Sequence, residues 1–368
     1  MKHAPGRIRD SIIGFLSENK GEATVNEITQ AIEADLGPTS PSSVRSYLSL
    51  NVPDTFTRTA RGHYLLREDT PPYHIEGKPS EPKFSDQATL VCADCFDWLA
   101  EQKPNSIHAV VTDPPYGLVE YSEKEQVKLR NGKGGVWRIP PSFDGHKRSP
   151  LPRFTTLTKE DHATLHKFFL RFGAESLRIL VPGANVVIAS NPLLSHLVTD
   201  AMDKAGFEVR GAITRLVMTM RGGDRPKNAH KEFKDVSVMP RSMYEPWVVL
   251  RKPLDGRVQD NLRKWGTGGF RRTPDDRPFG DVIRSSPTSP RERELAPHPS
   301  LKPQAFMRSL VRGVLPLGKG IVCDPFAGAG STLAAANAVG YRSIGVEADE
   351  SFFRIAHQGI PKLSALSV

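Results

Sequence analysis

The sequence contains little cysteine, and its three cysteines form no pattern that would staple a fold or hold a metal. Cys92 and Cys95 have CxxC spacing, but no second such pair follows that would complete a zinc site. Cys323 lies in an apolar run that predicts a buried strand. The sequence therefore argues against a disulfide scaffold and predicts no metal site.

Long apolar segments are also missing. No apolar run approaches the roughly twenty residues needed to span a bilayer, and residues 1–6 offer no apolar core of a signal peptide. Acidic residues are the scarcer charge, with 41 Asp and Glu against 50 Lys and Arg and a net charge of +9. We expect a cytoplasmic protein without a membrane partner, and the positive balance suits a polyanionic partner.

The chain does contain a short apolar run that ends in an acid and two prolines. Residues 108–111, which include the β-branched Val110 and Val111, predict a buried strand. Proline has no amide hydrogen and fixes its own φ, so the chain must leave the sheet in one rigid, extended shape. The segment Asp113-Pro114-Pro115-Tyr116 then lies at the carboxyl end of a strand, where open α/β sheets bind ligands. The alternative is a plain strand end followed by a half-buried aromatic ring.

A second stretch, about two hundred residues further on, has the pattern strand, glycine-rich turn, helix. Gly328 and Gly330 allow the backbone to pass close to a ligand, and Ser331 and Thr332 open a helix whose amides face it. The next strand ends at Glu347, about twenty residues after the turn, a spacing that suits a pair of ribose hydroxyls. The candidate cofactor-binding residues of this stretch are Asp324, Pro325, Phe326, Gly328, Gly330, Ser331, Thr332 and Glu347.

Together these stretches resemble the S-adenosylmethionine-dependent DNA amino-methyltransferases, which carry a DPPY catalytic motif and an FxGxG cofactor motif. The motif order here, catalytic first and cofactor last, is similar to that of the permuted β class. Residues 298–303 resemble the HPxxKP element of that class, which implies that Lys302 lies beside the methionine moiety. Asp94 matches the acidic position that meets the adenine end of the cofactor. The resemblance implies an α/β, Rossmann-like, circularly permuted methyltransferase sheet.

The resemblance also implies a reaction. A base inside a duplex hides its amine, so the target nucleotide must be flipped out. Tyr116 is expected to stack on the flipped base, while Asp113 and the Pro114 carbonyl accept the amine hydrogens and the methyl group transfers by direct displacement. The absence of a Pro-Cys pair removes the thiol nucleophile that methylation of a pyrimidine ring carbon requires.

The substrate and partners follow from the same resemblance. Asp at the first motif position favours the N6 amine of adenine in double-stranded DNA, and the N4 amine of cytosine is the alternative. A non-catalytic DNA-binding regulator that only senses the cofactor is a rival from another class. A homodimer and a cognate restriction enzyme stay open as partners, in a prokaryotic or phage-encoded protein.

Residues 1–67 predict a separate small module. Apolar residues recur at helical spacing in residues 8–16, residues 24–27 form a capping box that opens a second helix, and a third helix follows in residues 40–49. A basic hairpin completes an arrangement that resembles a winged helix, whose third helix can enter a major groove. A protein-binding or purely structural cap is the alternative.

Residues 68–87 are rich in proline and charge and predict a linker, which leaves residues 88–368 as the methyltransferase domain. Residues 118–160 show no periodicity and interleave cations with aromatic rings, which suits a nucleic-acid channel more than a solvated loop. Residues 251–296 are again basic and irregular, and they occupy the place of the family's target-recognition region. The predicted DNA-binding residues are Arg138, Lys147, Arg148, Arg153, Lys264, Arg271 and Arg272.

Overall fold

The computed structural model describes residues 7–19, 21–39, 41–50, 56–60, 62–66, 87–115, 157–217, 225–226, 228–298 and 300–368. The chain divides into two compact units, Met1–Lys78 and Pro79–Val368. The finer boundaries at residues 67 and 87 stay a prediction. The predicted linker, except residue 87, and the predicted channel up to residue 156 lie outside the described residues. So do Tyr116, Arg138, Lys147, Arg148 and Arg153.

The first unit contains three helices and a small antiparallel sheet. The helices are α1 (Arg7–Asn19), α2 (Val25–Leu36) and α3 (Pro41–Leu50), and the strands, in the sheet order β1-β3-β2, are β1 (Ala23–Thr24), β2 (Phe56–Ala60) and β3 (His63–Leu66). The predicted capping box is present, since the Thr24 hydroxyl accepts from the Glu27 amide and the Glu27 carboxylate accepts from the Thr24 amide. The winged-helix interpretation of this unit stays a prediction.

The second unit is built on an eight-stranded sheet. Its strands are β4 (Ala88–Cys92), β5 (Ile107–Thr112), β6 (Leu180–Ala189), β7 (Glu208–Leu216), β8 (Tyr244–Arg251), β9 (Val282–Arg284), β10 (Ile321–Asp324) and β11 (Arg342–Glu347). Its helices are α4 (Cys95–Glu101), α5 (Lys159–Ile179), α6 (Ser195–Lys204), α7 (Val258–Trp265), α8 (Pro290–Leu295), α9 (Gln304–Val314), α10 (Ser331–Ala338) and α11 (Glu350–Ser364).

The strand order is β4-β11-β10-β5-β6-β8-β7-β9. The first five strands in this order are parallel, β8 runs antiparallel between β6 and β7, and β9 is parallel to β7. One apolar cluster, with Phe169 and Phe172 of α5, covers one face, and a second, with Phe306 and Leu310 of α9, covers the other. Because both faces are buried, β5 and β6 are apolar almost throughout. This mainly parallel sheet confirms the predicted α/β fold class.

Strand β5, which leads into the predicted catalytic motif, and strand β10, which leads into the predicted cofactor turn, are neighbours in the sheet although they lie far apart in the chain. Val322 pairs with Ala109, and Cys323 pairs with Val110. Parallel neighbours bring their carboxyl ends to the same edge. We call this the catalytic edge, and the opposite one the amino edge.

Residues 251–296 are more regular than the sequence predicted, since they contain α7, β9 and α8. The buried Asn261 of α7 donates to the Pro182 carbonyl at 3.0 Å, which fixes α7 at the start of β6. The first part of the predicted target-recognition region therefore lies at the amino edge. Among the described residues no helix is long and apolar enough to cross a membrane.

Candidate active site

Asp113 lies where the sequence placed it, directly after the last residue of β5. Pro114 is buried and Pro115 is exposed, so the chain turns outward from the sheet at this point. The Asp113 side chain is 19% exposed. A partly buried carboxylate is thus presented at the catalytic edge, on a backbone that the prolines keep extended.

A buried hydrogen bond joins the two predicted motifs. The Thr112 hydroxyl donates to Asp324 Oδ1 at 2.6 Å, across 212 positions of sequence. Asp324 also accepts from the Phe326 amide at 3.2 Å, and the Thr332 hydroxyl donates to the Val111 carbonyl at 3.3 Å. Asp324 is only 3% exposed. Its carboxyl group, predicted to bind cofactor, therefore joins β5 to β10.

The burial of Asp324 has an electrostatic consequence. Removal from water raises the pKa of this carboxyl to about 6, although hydrogen bonds from Thr112, Thr332 and the Phe326 amide favour the charged form. The nearby charge of Asp113 acts in the same direction as burial. The junction between the two motifs therefore titrates close to neutral pH.

The other cofactor candidates lie on the adjacent strand ends. Glu347, at the end of β11, accepts from the Gly328 amide at 2.7 Å and from the Asp349 amide at 2.8 Å, and burial raises the pKa of its carboxyl. Asp94, just after β4, accepts from the Phe96 amide at 2.8 Å and caps α4. The carboxylates of Glu347 and Asp94 and the glycine turn therefore share the catalytic edge.

The two glycines of the turn have different neighbours. Gly328 has φ +51°, and the nearest atom to an added Cβ belongs to the His298 ring at 3.4 Å. Gly330 has φ +79°, and an added Cβ would lie 2.4 Å from Ile360 Cγ1 of α11. The missing side chain of Gly330 therefore makes room for α11. The cofactor-binding role of Gly330 stays a prediction. The cofactor-binding role of Gly328 stays a prediction too.

Aromatic residues of α5 support the turn, and the sequence did not single them out. The Phe326 ring lies 5.9 Å from that of Phe168 and 5.6 Å from that of Phe172. Phe168 also meets Phe96 edge-on at 5.3 Å, and the Arg171 guanidinium lies 3.9 Å from the centre of the Phe96 ring. The spacing of two phenylalanines four residues apart in a predicted helix was the available signal.

The segment that resembles HPxxKP packs against the same turn. The Lys302 amide donates to Ser331 Oγ at 3.3 Å, and the Gln304 side chain donates to the Ser331 carbonyl at 3.0 Å. His298 Nδ1 accepts from the Ser300 amide at 3.1 Å. Burial lowers the pKa of the His298 imidazole to about 4, with the Lys302 charge adding to the effect, so the ring is neutral near pH 7. Pro299 lies outside the described residues.

The Lys302 ammonium contacts the Asp113 carboxylate directly. Its Nζ lies 2.8 Å from Asp113 Oδ2 and 2.9 Å from Glu245 Oε1. Burial alone would lower the pKa of Lys302, but the charges of Asp113 and Glu245 outweigh it and the pKa is raised. The sequence predicted a contact with the methionine moiety for Lys302 and did not predict Glu245, which lies near the start of β8.

Three predicted DNA-binding residues, Lys264, Arg271 and Arg272, lie at the amino edge. Lys264 belongs to α7, which packs at the start of β6. Arg271 donates to the Tyr341 hydroxyl at 2.8 Å, and its guanidinium lies beside Gly318, ahead of β10. This placement weighs against a contact with DNA that enters at the catalytic edge.

A different segment leaves from the catalytic edge, and it carries three exposed cations and the two exposed acids Glu232 and Asp235. Residues 228–243 are part of the connection between β7 and β8, whose ends Leu216 and Tyr244 are paired there. The segment is largely exposed. Its exposed cations and large apolar side chains are Lys231, Phe233, Lys234, Val236, Val238, Arg241 and Met243.

The fold and the site define an α/β enzyme whose acidic motif and glycine turn meet at one sheet edge. Residues 107–358 match the N6_N4_Mtase family model, described as DNA methylase. The match covers more than half of the chain, and the protein belongs to this family of DNA methylases. The family predicted from the motifs is thereby confirmed.

Similar proteins include bacterial methyltransferases. Type II methyltransferase M.HindIII of Haemophilus influenzae is 24% identical over an alignment of 276 residues that covers 68% of this chain and 88% of that protein. Type II methyltransferase M2.DpnII of Streptococcus pneumoniae is 23% identical over 269 residues, 73% of this chain and 88% of that protein. Among solved structures, a DNA modification methylase of Thermus thermophilus, complexed with S-adenosyl-L-methionine, is 21% identical, covers 75% of this chain and 94% of its own, and has a TM-score of 0.49.

Proposed function

We propose that this DNA methylase transfers a methyl group from S-adenosylmethionine to the N6 amine of adenine at a specific site in double-stranded DNA. The observation that carries the proposal is the position of Asp113. Its carboxylate stands at the catalytic edge, and the hydrogen bond between Thr112 and Asp324 ties it to the glycine turn of the next strand. The choice of adenine rests on the family resemblance of an Asp at this motif position, and cytosine N4 is the alternative.

The chemistry of the turn suits this cofactor. Glu347 and Asp94 supply carboxylate acceptors for hydroxyl and amine groups, and the Phe326 ring supplies an apolar surface. Gly328 has no side chain of its own, and the nearest group to the position of an added Cβ is the His298 ring at 3.4 Å. When bound, S-adenosylmethionine supplies an electrophilic methyl group on a sulfonium centre.

The chain itself contributes orientation and charge. Asp113 accepts a hydrogen of the flipped base's amine, which makes the nitrogen lone pair more available for attack. Lys302 pairs with the Asp113 carboxylate and holds it in one orientation. The Pro114 carbonyl and Tyr116 keep the roles predicted from the motif. The nucleophile is the amine nitrogen, so no covalent enzyme intermediate is required.

We propose residues 228–243 as the duplex contact on the catalytic edge. A flipped base must reach Asp113 from this edge, and the exposed cations Lys231, Lys234 and Arg241 extend from it. The exposed apolar side chains between them suit sugar and base edges. This assignment adds a second DNA-binding surface to the predicted channel residues 118–160. It replaces residues 251–272, which lie at the amino edge, as a proposed DNA contact.

Single-molecule sequencing of DNA from a methylation-free host that expresses this chain tests the proposal. N6-methyladenine in one sequence context is the expected result. N4-methylcytosine would select the alternative substrate. Unmodified DNA, together with no methyl transfer from S-adenosylmethionine to bulk DNA by purified protein, would support the non-catalytic regulator.

The remaining partner predictions need separate measurements. Sedimentation analysis of the purified chain tests the homodimer. A nuclease that cuts the same sequence context only when it is unmethylated would identify the cognate restriction enzyme. Fractionation of the source cells tests the cytoplasmic location.

A further inference from the structure

The contact between Lys302 and Asp113 is part of a longer chain of charges. Beyond Lys302, the second oxygen of Glu245, Oε2, accepts hydrogen bonds from Arg215 Nη1 at 3.0 Å and from Trp247 Nε1 at 3.2 Å. The side chains of Asp113, Lys302, Glu245 and Arg215 are 19%, 10%, 13% and 7% exposed. Four charged groups of alternating sign thus run inward from the catalytic carboxylate.

The inner end of this chain is held by the sheet. Arg215 and Glu245 are direct cross-strand partners in the pairing of β7 with β8. Arg215 also donates to Ser285 Oγ at 3.0 Å and to the Ser286 carbonyl at 3.3 Å, and its guanidinium lies 5.1 Å from the centre of the Phe306 ring. Because Arg215 is fixed on several sides, the Glu245 carboxylate has a fixed position too.

Stability alone is a weak reason for this arrangement. Desolvation of buried ion pairs costs about as much as their attraction returns, and apolar residues of similar volume often serve equally well. The arrangement does fix the place of one ammonium group next to a carboxylate that acts on substrate. A contribution to catalysis therefore explains the position of Glu245 better than a contribution to folding.

We propose that Glu245 is a positioning residue for methyl transfer, which acts by holding the Lys302 ammonium in place and sharing its charge with Asp113. The inference rests on the proposed function. If Glu245 lost its charge, the buried Lys302 ammonium would pair more strongly with the Asp113 carboxylate. The amine of the target base would then compete with this cation for the same carboxylate. Glu245 thus preserves the strength of Asp113 as a hydrogen-bond acceptor.

The first test is Glu245→Gln, which removes the charge and keeps the shape. We expect kcat to fall roughly ten- to hundredfold, while KM for DNA and the calorimetric Kd for S-adenosylmethionine stay within about twofold. The matched control is Glu208→Gln, because Glu208 accepts from Arg251 at 2.8 Å across the same two strands at the amino edge. This control should keep the wild-type kcat. An unchanged kcat in Glu245→Gln, or a loss of cofactor affinity in place of kcat, would overturn the inference.

The second test combines Glu245→Gln with Lys302→Met. A residue that acts through Lys302 adds nothing once Lys302 is gone, so the double variant should have the kcat of Lys302→Met within about twofold. Multiplicative losses would show that Glu245 acts independently and would overturn the inference.

Folding and function are separated by two further measurements. Thermal unfolding and the cofactor titration show whether Glu245→Gln is folded. If it is not, Glu245→Asp is tested in its place, because the shorter side chain keeps the negative charge but moves it away from Lys302. A wild-type kcat in Glu245→Asp would then overturn the inference. Wild-type protein that transfers no methyl group to DNA would refute the proposed function, whereas active wild type with equally active Glu245 variants would refute only the inference.

Discussion

The Thr112 hydroxyl donates a 2.6 Å hydrogen bond to the buried carboxyl group of Asp324. This contact connects the residue before the catalytic Asp113 to the residue that opens the cofactor turn. Asp113 and the turn therefore have a defined separation before any ligand binds, which is the condition for catalysis by orientation. The burial of the Asp324 carboxyl also makes the junction sensitive to pH.

The pH dependence of stability follows from the Asp324 carboxyl. Its pKa is raised from 3.8 to about 6 in the folded protein. A raised pKa means that the neutral form is favoured by folding, so this stabilisation is complete below about pH 4 and is lost as the pH rises through about 6. Asp324→Asn keeps a neutral acceptor for Thr112. The melting temperature of this variant relative to wild type should therefore increase between pH 4 and pH 7, and a constant difference would contradict the assignment.

The second prediction concerns Asp113. Asp113→Asn should reduce methyl transfer by about a hundredfold or more, because the neutral amide is a weaker acceptor and presents donors to the amine. The calorimetric Kd for S-adenosylmethionine should change by no more than a few-fold, since the cofactor residues lie on β10, β11 and β4. Asp94→Asn is the matched variant, and it should weaken cofactor binding more than Asp113→Asn does. If Asp113→Asn weakened cofactor binding more than Asp94→Asn did, the roles assigned to Asp113 and Asp94 would be contradicted.

Much of this architecture was predictable because it depends on local pattern. The prolines after Asp113 end β5 in any context, and the glycine-rich turn after β10 sets the entry into α10. The capping box at Thr24 is likewise a property of four consecutive residues. The predicted strand over residues 108–111 lies within β5 for the same reason.

The parts that were missed depend on pairing between distant segments. Glu245 faces Arg215 because of the register between β7 and β8, and neither residue carries a local signature. The amino-edge location of residues 251–272 follows from the direction of β8, which ends at Arg251 on that edge. The contact of Gly330 with Ile360 requires the position of α11. Sequence periodicity does not specify any of these.

The third prediction separates packing from ligand approach at Gly330. Gly330→Ala should lower the melting temperature, because φ is +79° and the new Cβ would lie 2.4 Å from Ile360. The matched control is Gly340→Ala, where φ is +80° and no heavy atom lies within 4 Å of an added Cβ. The backbone cost of about 1–2 kcal/mol is common to both, and overpacking adds about 1–3 kcal/mol only at Gly330.

The double variant Gly330→Ala, Ile360→Ala provides the test of cause. Removing the Ile360 branches should recover part of the stability lost in Gly330→Ala, although Ile360→Ala alone is destabilising. Simple additivity of the two losses would show that Ile360 is not the obstacle.

The last prediction concerns the path of DNA along the catalytic edge. Lys231, Lys234 and Arg241 are exposed on the segment between β7 and β8. Each phosphate contact contributes about 0.9 to the slope of log affinity against log salt. Replacing all three residues by Ala should flatten the slope by between about two and three, weaken binding on every duplex alike, and leave cofactor affinity unchanged.

The comparison variant replaces Arg263, Lys264 and Arg272, three exposed cations at the amino edge. It removes the same formal charge from the same domain, so a general effect of net charge would weaken DNA binding equally in both variants. We expect its salt slope to equal that of wild type. A flatter slope in this variant, with a wild-type slope in the other, would return the DNA contact to residues 251–296 and remove residues 228–243 from the interface.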